Sequence, residues 1–261
     1  MEKDLFGNVS FKHKKTVDDI HATTVVSIKF VGDFRDEVSV ISSDLRGVVY
    51  LSTFATGVLF CSVNKKCLWT KRLGAAYSLA PLISIGSNAN QAYLEVMQRL
   101  DKTMYKSEKE QKAVVERLRD VGPSIVGFGS LEEIYVAQVS PKALPLISIR
   151  RPPYISPGTV PYLDWGHALT PTFRDQSYPV LAIAWGRTIQ LAVYCNQKQV
   201  INGLEEPQVE LDGFYICDGF TIDACFFLSE SLIFIVVNKK EVRILYTQNF
   251  TPGLFDADYP S

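Results

Sequence analysis

The chain has 261 residues, with 27 Lys and Arg against 28 Asp and Glu and a formal net charge of −1, a balance that gives no general attraction to nucleic acid or anionic lipid, both of which need a concentrated basic surface. That length supports one large domain or two small ones with a proper core. The five cysteines, Cys61, Cys67, Cys195, Cys217 and Cys225, fall mostly inside apolar runs and lack the close pairs of a zinc site, so they are expected to be reduced core thiols.

Residues 1–20 form a polar N-terminal segment, with charges where a secretory signal would need its apolar stretch. No apolar run in the chain approaches the length of a bilayer span, so a soluble, cytosol-facing protein is expected. After His21 comes a strand-like run, TVVSIKFVG from Thr24, then the hairpin VSVISSDLRGVVYLST from Val38, broken by turn residues from Asp44 to Gly47. A more polar run, GVLFCSV from Gly57, follows. The same order recurs with YSLAPLISI from Tyr77, SIVGFGSLEEIYVAQV from Ser124 with its break at Leu131–Glu133, and ALPLISIRR from Ala143.

An insert at about 90–121 interrupts this second unit. Glu, Lys, Gln and Arg dominate it, and Leu94, Met97, Leu100 and Met104 fall at helical spacing, so it is expected to be helical or disordered. Prolines then cluster in RRPPYISPGTVP from Arg150, an extended connector. A third unit comprises VPYLDWGHAL from Val160, PVLAIAWGRTIQLAVY from Pro179, broken at Gly186–Thr188, and QVELDGFYI from Gln208. The last has TIDACFFLS from Thr221 and LIFIVVNKKEVRILYT from Leu232, broken at Asn238–Lys240, before a tail at 251–261.

The first arm of each hairpin is apolar nearly throughout, as in a strand buried on both faces, and the second alternates. Each unit therefore reads as three or four antiparallel strands, and the turns recur at roughly fifty to sixty residues outside the insert, the spacing of propeller blades. The expected fold is all-β, a partial β-propeller over 21–250 of about three to four blades. Since a blade buries its faces only against neighbours, an incomplete ring is expected to leave open edges and apolar faces and to behave poorly alone.

Catalytic chemistry needs a nucleophile or a metal with a base in reach, and only His13, His21 and His167 are present as histidines. No G-x-S-x-G, H-E-x-x-H or phosphate-binding loop occurs, and Gly127 and Gly129 lack the third glycine of a dinucleotide site. No catalytic residue, cofactor, metal site or small-molecule substrate is expected. His21, ahead of an apolar strand, is positioned to hydrogen-bond a neighbouring turn, and Asp44 to cap its own hairpin turn. Trp69, Trp165 and Trp185 lie in or beside strand runs and are expected in blade-to-blade packing. Lys71, Arg72, Arg150 and Arg151 make two small basic spots, read as solvated faces.

The stretch HATTVVSIKFVGDFRDEVSVISSDLRGVVYLSTF from His21 resembles the vacuolar protein sorting subunit eight family, in which a histidine precedes a hydrophobic-x-IKF strand and a Ser/Asn-Asp-x-x-Gly-x-Val turn follows. CLWTKRLGAAYSLAPL from Cys67, VPYLDWGHAL, PVLAIAWGRTIQLAVY and the last hairpin continue it in the same order, from His21 to about Phe250. The resemblance implies part of the N-terminal propeller of an endosomal tethering subunit of the CORVET complex. It implies partners too: an early-endosomal Rab GTPase and class C core subunits, with peripheral attachment to early endosomes. The charged insert departs from the family pattern, and the family's helical solenoid and zinc-binding region have no counterpart here. The alternatives are a propeller of another trafficking or coat complex, and a propeller enzyme or carbohydrate binder with its site at the channel mouth.

Overall fold

The computed structural model describes residues 2–3, 9–10, 19–34, 37–56, 61–70, 74–82, 125–139, 143–201 and 204–253. The insert expected at 90–121, the 254–261 part of the tail and the basic pair Lys71 and Arg72 lie outside them. Among the described residues the regular structure is antiparallel β, apart from one 3-10 turn at Thr247–Asn249. A short ribbon pairs β1 (Glu2–Lys3) with β2 (Val9–Ser10).

Four larger sheets follow in chain order. The first blade is β3 (Val25–Phe34), β4 (Glu37–Asp44), β5 (Val49–Thr56) and β6 (Cys61–Trp69), and the second is β7 (Ser78–Leu82), β8 (Ile125–Gly129), β9 (Glu133–Gln138) and β10 (Leu144–Arg150). The third blade comprises β11 (Tyr162–Ala168), β12 (Tyr178–Trp185), β13 (Thr188–Ile201) and β14 (Leu204–Ile216). The fourth has β15 (Ile222–Ser229), β16 (Leu232–Val237) and β17 (Glu241–Tyr246), after which the chain returns to the third blade, where β18 (Thr251–Pro252) pairs with β14. Every expected hairpin forms, and each sheet meanders strand by strand outward from its first strand. Residues 57–60 of the polar run GVLFCSV lie outside the described residues; the strand that carries its remainder runs on to Trp69, which pairs with Val49 and stacks on Phe128 of the next blade, ring centroids 5.5 Å apart.

The core lies between the blades. One face of the first blade (Ile41, Val49, Leu51, Trp69) packs on one face of the second (Leu79, Val126, Phe128, Ala137). The other face of the second (Ala80, Leu82, Ile134, Val136) meets Leu163, Leu181, Ile183 and Trp185 of the third. The far face of the third, including Val180, Ala182, Ile189 and Leu191, meets Ile222, Cys225, Ile233 and Ile235 of the fourth. Close approach demands glycine on the inner strands: a Cβ on Gly129 would lie 2.7 Å from Pro161 Cγ, and one on Gly166 2.3 Å from Phe227 Cγ. The two glycines of the second blade, Gly127 and Gly129, thus serve packing against Leu181 and Pro161.

The alternation of apolar residues distinguishes the fourth blade. The runs at β8 and β12 are buried on both faces, as expected, but β16 is buried only at Ile233, Ile235 and Val237. Leu232, Phe234 and Val236 on its other face are only half-buried, and no blade among the described residues packs against them. The cysteines also divide: Cys195, Cys217 and Cys225 are buried thiols, whereas Cys67 is exposed, a correction to its expected place in the core. Its strand is the outermost of its sheet, where Lys65 and Lys66 are also exposed.

Candidate functional site

The first strands of the four blades, β3, β7, β11 and β15, converge on one opening. It is lined by Ile28 and Lys29, Tyr77 and Ser78, Tyr162 and Asp164, and Phe226 and Phe227. This is the mouth of the propeller channel, the usual place for a ligand in a ring of blades. Asp164 holds it together. Its Oδ1 lies 3.2 Å from Lys29 Nζ of the first blade, and its Oδ2 accepts the backbone N–H of Phe227 in the fourth at 2.9 Å. One carboxylate therefore ties three blades. No group of three or more His, Cys, Asp or Glu side chains suited to a metal ion occurs among the described residues.

A second polar cluster stands on the face of the first blade turned away from the second, where His21 and Asp44 are buried. Ser42 Oγ and His21 Nε2 are 2.8 Å apart, and Asp44 Oδ2 lies 3.3 Å from His21 Nδ1, an electrostatic contact rather than an aligned hydrogen bond. The other Asp44 oxygen accepts the backbone N–H groups of Arg46 and Val48 at 2.9 and 3.0 Å, closing the turn at which Gly47 takes φ of 76°. His21 also meets the edge of Tyr50, centroids 5.0 Å apart. The residue types and order, Asp–His–Ser, are those of a hydrolytic triad. Their setting is different: β4 is an interior strand paired with β3 and β5, so its N–H groups are spent in the ladders and not available to stabilise an oxyanion. The cluster fastens the chain ahead of β3 to the hairpin of the same blade: His21 bonds Ser42 within β4 rather than the turn itself, and Asp44 caps the turn as read from the sequence.

The remaining singled-out residues serve packing or local bonding. Trp165 Nε1 donates to Ala80 O across the second and third blades, and Trp185 Nε1 to Thr159 O in the connector, both at 2.9 Å. The connector itself is pinned by Arg151, which donates to Ile155 O and lies 3.4 Å from Glu132, so Arg151 is a built contact and not a free basic face. Arg150 is exposed at the end of β10, His167 is half-buried in β11, and His13 lies outside the described residues. Sequence reasoning missed Asp164. The available signal was its position, a lone acid inside an apolar inner strand, which needs cationic or N–H partners from other blades.

The Vps8 beta-propeller family model matches residues 8–252. No curated protein matches the chain. Among solved structures, the crystallised β-propeller domain of Nup133 from Vanderwaltozyma polyspora is similar, at 8% identity and a TM-score of 0.39, over 88% of this chain. The chain spans 59% of that propeller's length.

Proposed function

The chain belongs to the Vps8 β-propeller family, and from that premise we propose that it acts as a non-enzymatic interaction scaffold of an endosomal membrane tether. The observation that carries this reading is the family match over 8–252. The structure supports it by the use it makes of its polar groups: Asp164, Asp44, His21 and Arg151 are all engaged in holding blades, turns and connectors. Blades cross-linked in this way present loops in fixed positions, which lowers the ordering cost of recognising a protein surface. In this reading the partners are an early-endosomal Rab GTPase and the class C core of the CORVET tether. Recognition of the GTP-ordered switch regions over the relaxed ones would give nucleotide selectivity, and attachment to early endosomes is peripheral, through those partners.

The test is capture of purified early-endosomal Rab GTPases, loaded with a GTP analogue or GDP, by the full chain immobilised on resin. Retention of the GTP-analogue form alone supports Rab recognition by these blades. Equal retention of both forms, or of neither, places Rab recognition elsewhere.

A further inference from the structure

The connector between the second and third blades, residues 151–161, is pinned on both sides of one exposed serine. Before it, the Ile155 N–H donates to Pro152 O at 3.0 Å, and the Ile155 side chain is buried against the turn at Gly186. After it, the Thr159 N–H donates to Ser156 O at 3.2 Å, and Trp185 Nε1 holds Thr159 O at 2.9 Å. Ser156, Pro157 and Gly158 stand in solvent between these fixings.

The proline removes the N–H after the serine and disfavours the helical region for Ser156 itself, so the serine is held extended. A protein kinase takes its substrate in that conformation, and serine followed by proline is the pair that proline-directed kinases select. What sets this serine apart is the cationic ground around it. Arg151 donates through Nη1 to Ile155 O, the carbonyl bonded to the Ser156 nitrogen. Its Nε is buried with no hydrogen-bond partner among the described residues, and Nη2, on the same edge of the guanidinium, reaches Glu132 only at 3.4 Å. The Glu132 side chain is 73% exposed and so a weak partner. Arg187 is exposed in the turn beside Gly186, where an added Cβ would stand 3.5 Å from Ile155.

We propose that Ser156 is a phosphorylation site for a proline-directed kinase and that Arg151 receives the phosphate. Ser156 Oγ attacks the γ-phosphorus of ATP. The new O–P bond forms as the bond from that phosphorus to the β–γ bridging oxygen breaks, ADP leaves with the electron pair, and the hydroxyl proton passes to the kinase's aspartate base. The product carries a charge of about −1.5 to −2 and three acceptor oxygens. It displaces Glu132 and fills the Nε–Nη2 edge of Arg151 with two parallel bonds, the geometry in which a guanidinium holds phosphate best. Because the Arg151 N–H is bonded to Glu132 O of the second blade at 2.7 Å and Ile155 is seated on the third, the phosphate tightens the joint between them.

The test treats the full chain with ATP and purified kinases of the mitogen-activated and cyclin-dependent classes and locates the modified residue by mass spectrometry. Incorporation is expected at Ser156 and is lost in Ser156→Ala. Phosphorus NMR then follows the titration of the phosphate in the folded and the urea-unfolded protein. Pairing with Arg151 lowers the midpoint in the folded chain by about one pH unit from the value of about 6 in the unfolded one, and the melting temperature at pH 7.5 rises by about 2–4 °C. Arg151→Gln is still phosphorylated and loses both shifts. Should that variant not fold, Arg151→Lys, which keeps the charge without the fork, loses at least half of the titration shift. No incorporation at Ser156, a phosphate that titrates alike in the folded and unfolded wild type, or a shift that survives intact without the guanidinium would each overturn the proposal.

Discussion

Lys29 and Asp164 stand 135 residues apart in the chain and meet with 3.2 Å between charged atoms, joining the innermost strands of the first and third blades over the intervening second. The lysine side chain is 43% exposed and the aspartate 19%, so the ion pair itself is screened and contributes at most about 1 kcal/mol. The bond from Phe227 N–H to the same carboxylate is better shielded, and its loss strands a donor between blades.

Two substitutions at Asp164 separate these contributions. Asp164→Asn keeps an acceptor for Phe227 and is expected to cost about 0.5–1 kcal/mol, whereas Asp164→Ala, which strands the N–H, costs about 1–3 kcal/mol. Denaturant unfolding of both variants, with and without added salt, checks this. Equal losses would mean that the backbone bond contributes nothing.

Gly166 faces Phe227 so closely that a methyl group there would sit 2.3 Å from the ring. Gly166→Ala is therefore expected to destabilise the joint between the third and fourth blades by about 1–3 kcal/mol. Phe227→Leu frees space at the same point, so the double variant should be more stable than the sum of the two single losses predicts. Additive losses in that cycle would show that the ring relaxes away without strain.

At the first hairpin, Asp44 and Ser42 are neighbours of His21 with unequal duties. Asp44→Ala removes the acceptor of two turn N–H groups and a buried partner of the imidazole, and a loss of about 2–4 kcal/mol is expected. Ser42→Ala removes one hydroxyl contact and costs about 1 kcal/mol. Thermal unfolding ranks them. Were the cluster a hydrolytic triad instead, Ser42→Ala would be nearly neutral for folding and would abolish turnover of activated esters by the wild type.

Much of this architecture is legible along the chain, because the strands carry it locally. The apolar first arms, the alternating second arms and the turns at Asp44–Gly47 and Asn238–Lys240 place the hairpins, and Gly47, Asn238 and Lys239 indeed adopt positive φ. His21 and Asp44 are readable for the same reason: the turn and the residue that bonds it lie within one blade. Asp164 is not, since its partners Lys29 and Phe227 come from two other blades and are fixed only when the ring curves. The half-buried side of β16 is equally invisible, because Leu232–Val237 is composed like the doubly buried β12 and only the stacking of the described blades leaves Leu232, Phe234 and Val236 partly exposed. Cys67 misleads because its neighbours Leu68 and Trp69 are buried while it points outward at the sheet edge.

The buried thiols make stability depend on alkaline pH. Burial pushes Cys225 well above the ordinary thiol value of 9.0, aided by the nearby Asp164 charge, and raises Cys195 and Cys217 as well. In the folded chain these groups keep their protons at a pH where the unfolded chain has released them, so the unfolded state binds fewer protons and stability falls as pH rises past about 9. Each fully protected thiol contributes a slope of about 1.4 kcal/mol per pH unit. Below that point the contribution is complete and flat. Cys225→Ala lowers stability at neutral pH through the lost side chain, yet it should flatten the alkaline decline by about one proton's slope. Denaturant unfolding from pH 8 to pH 10.5, run on both proteins, reads the difference directly, and parallel curves would mean that Cys225 ionises in the folded chain as readily as in the unfolded one.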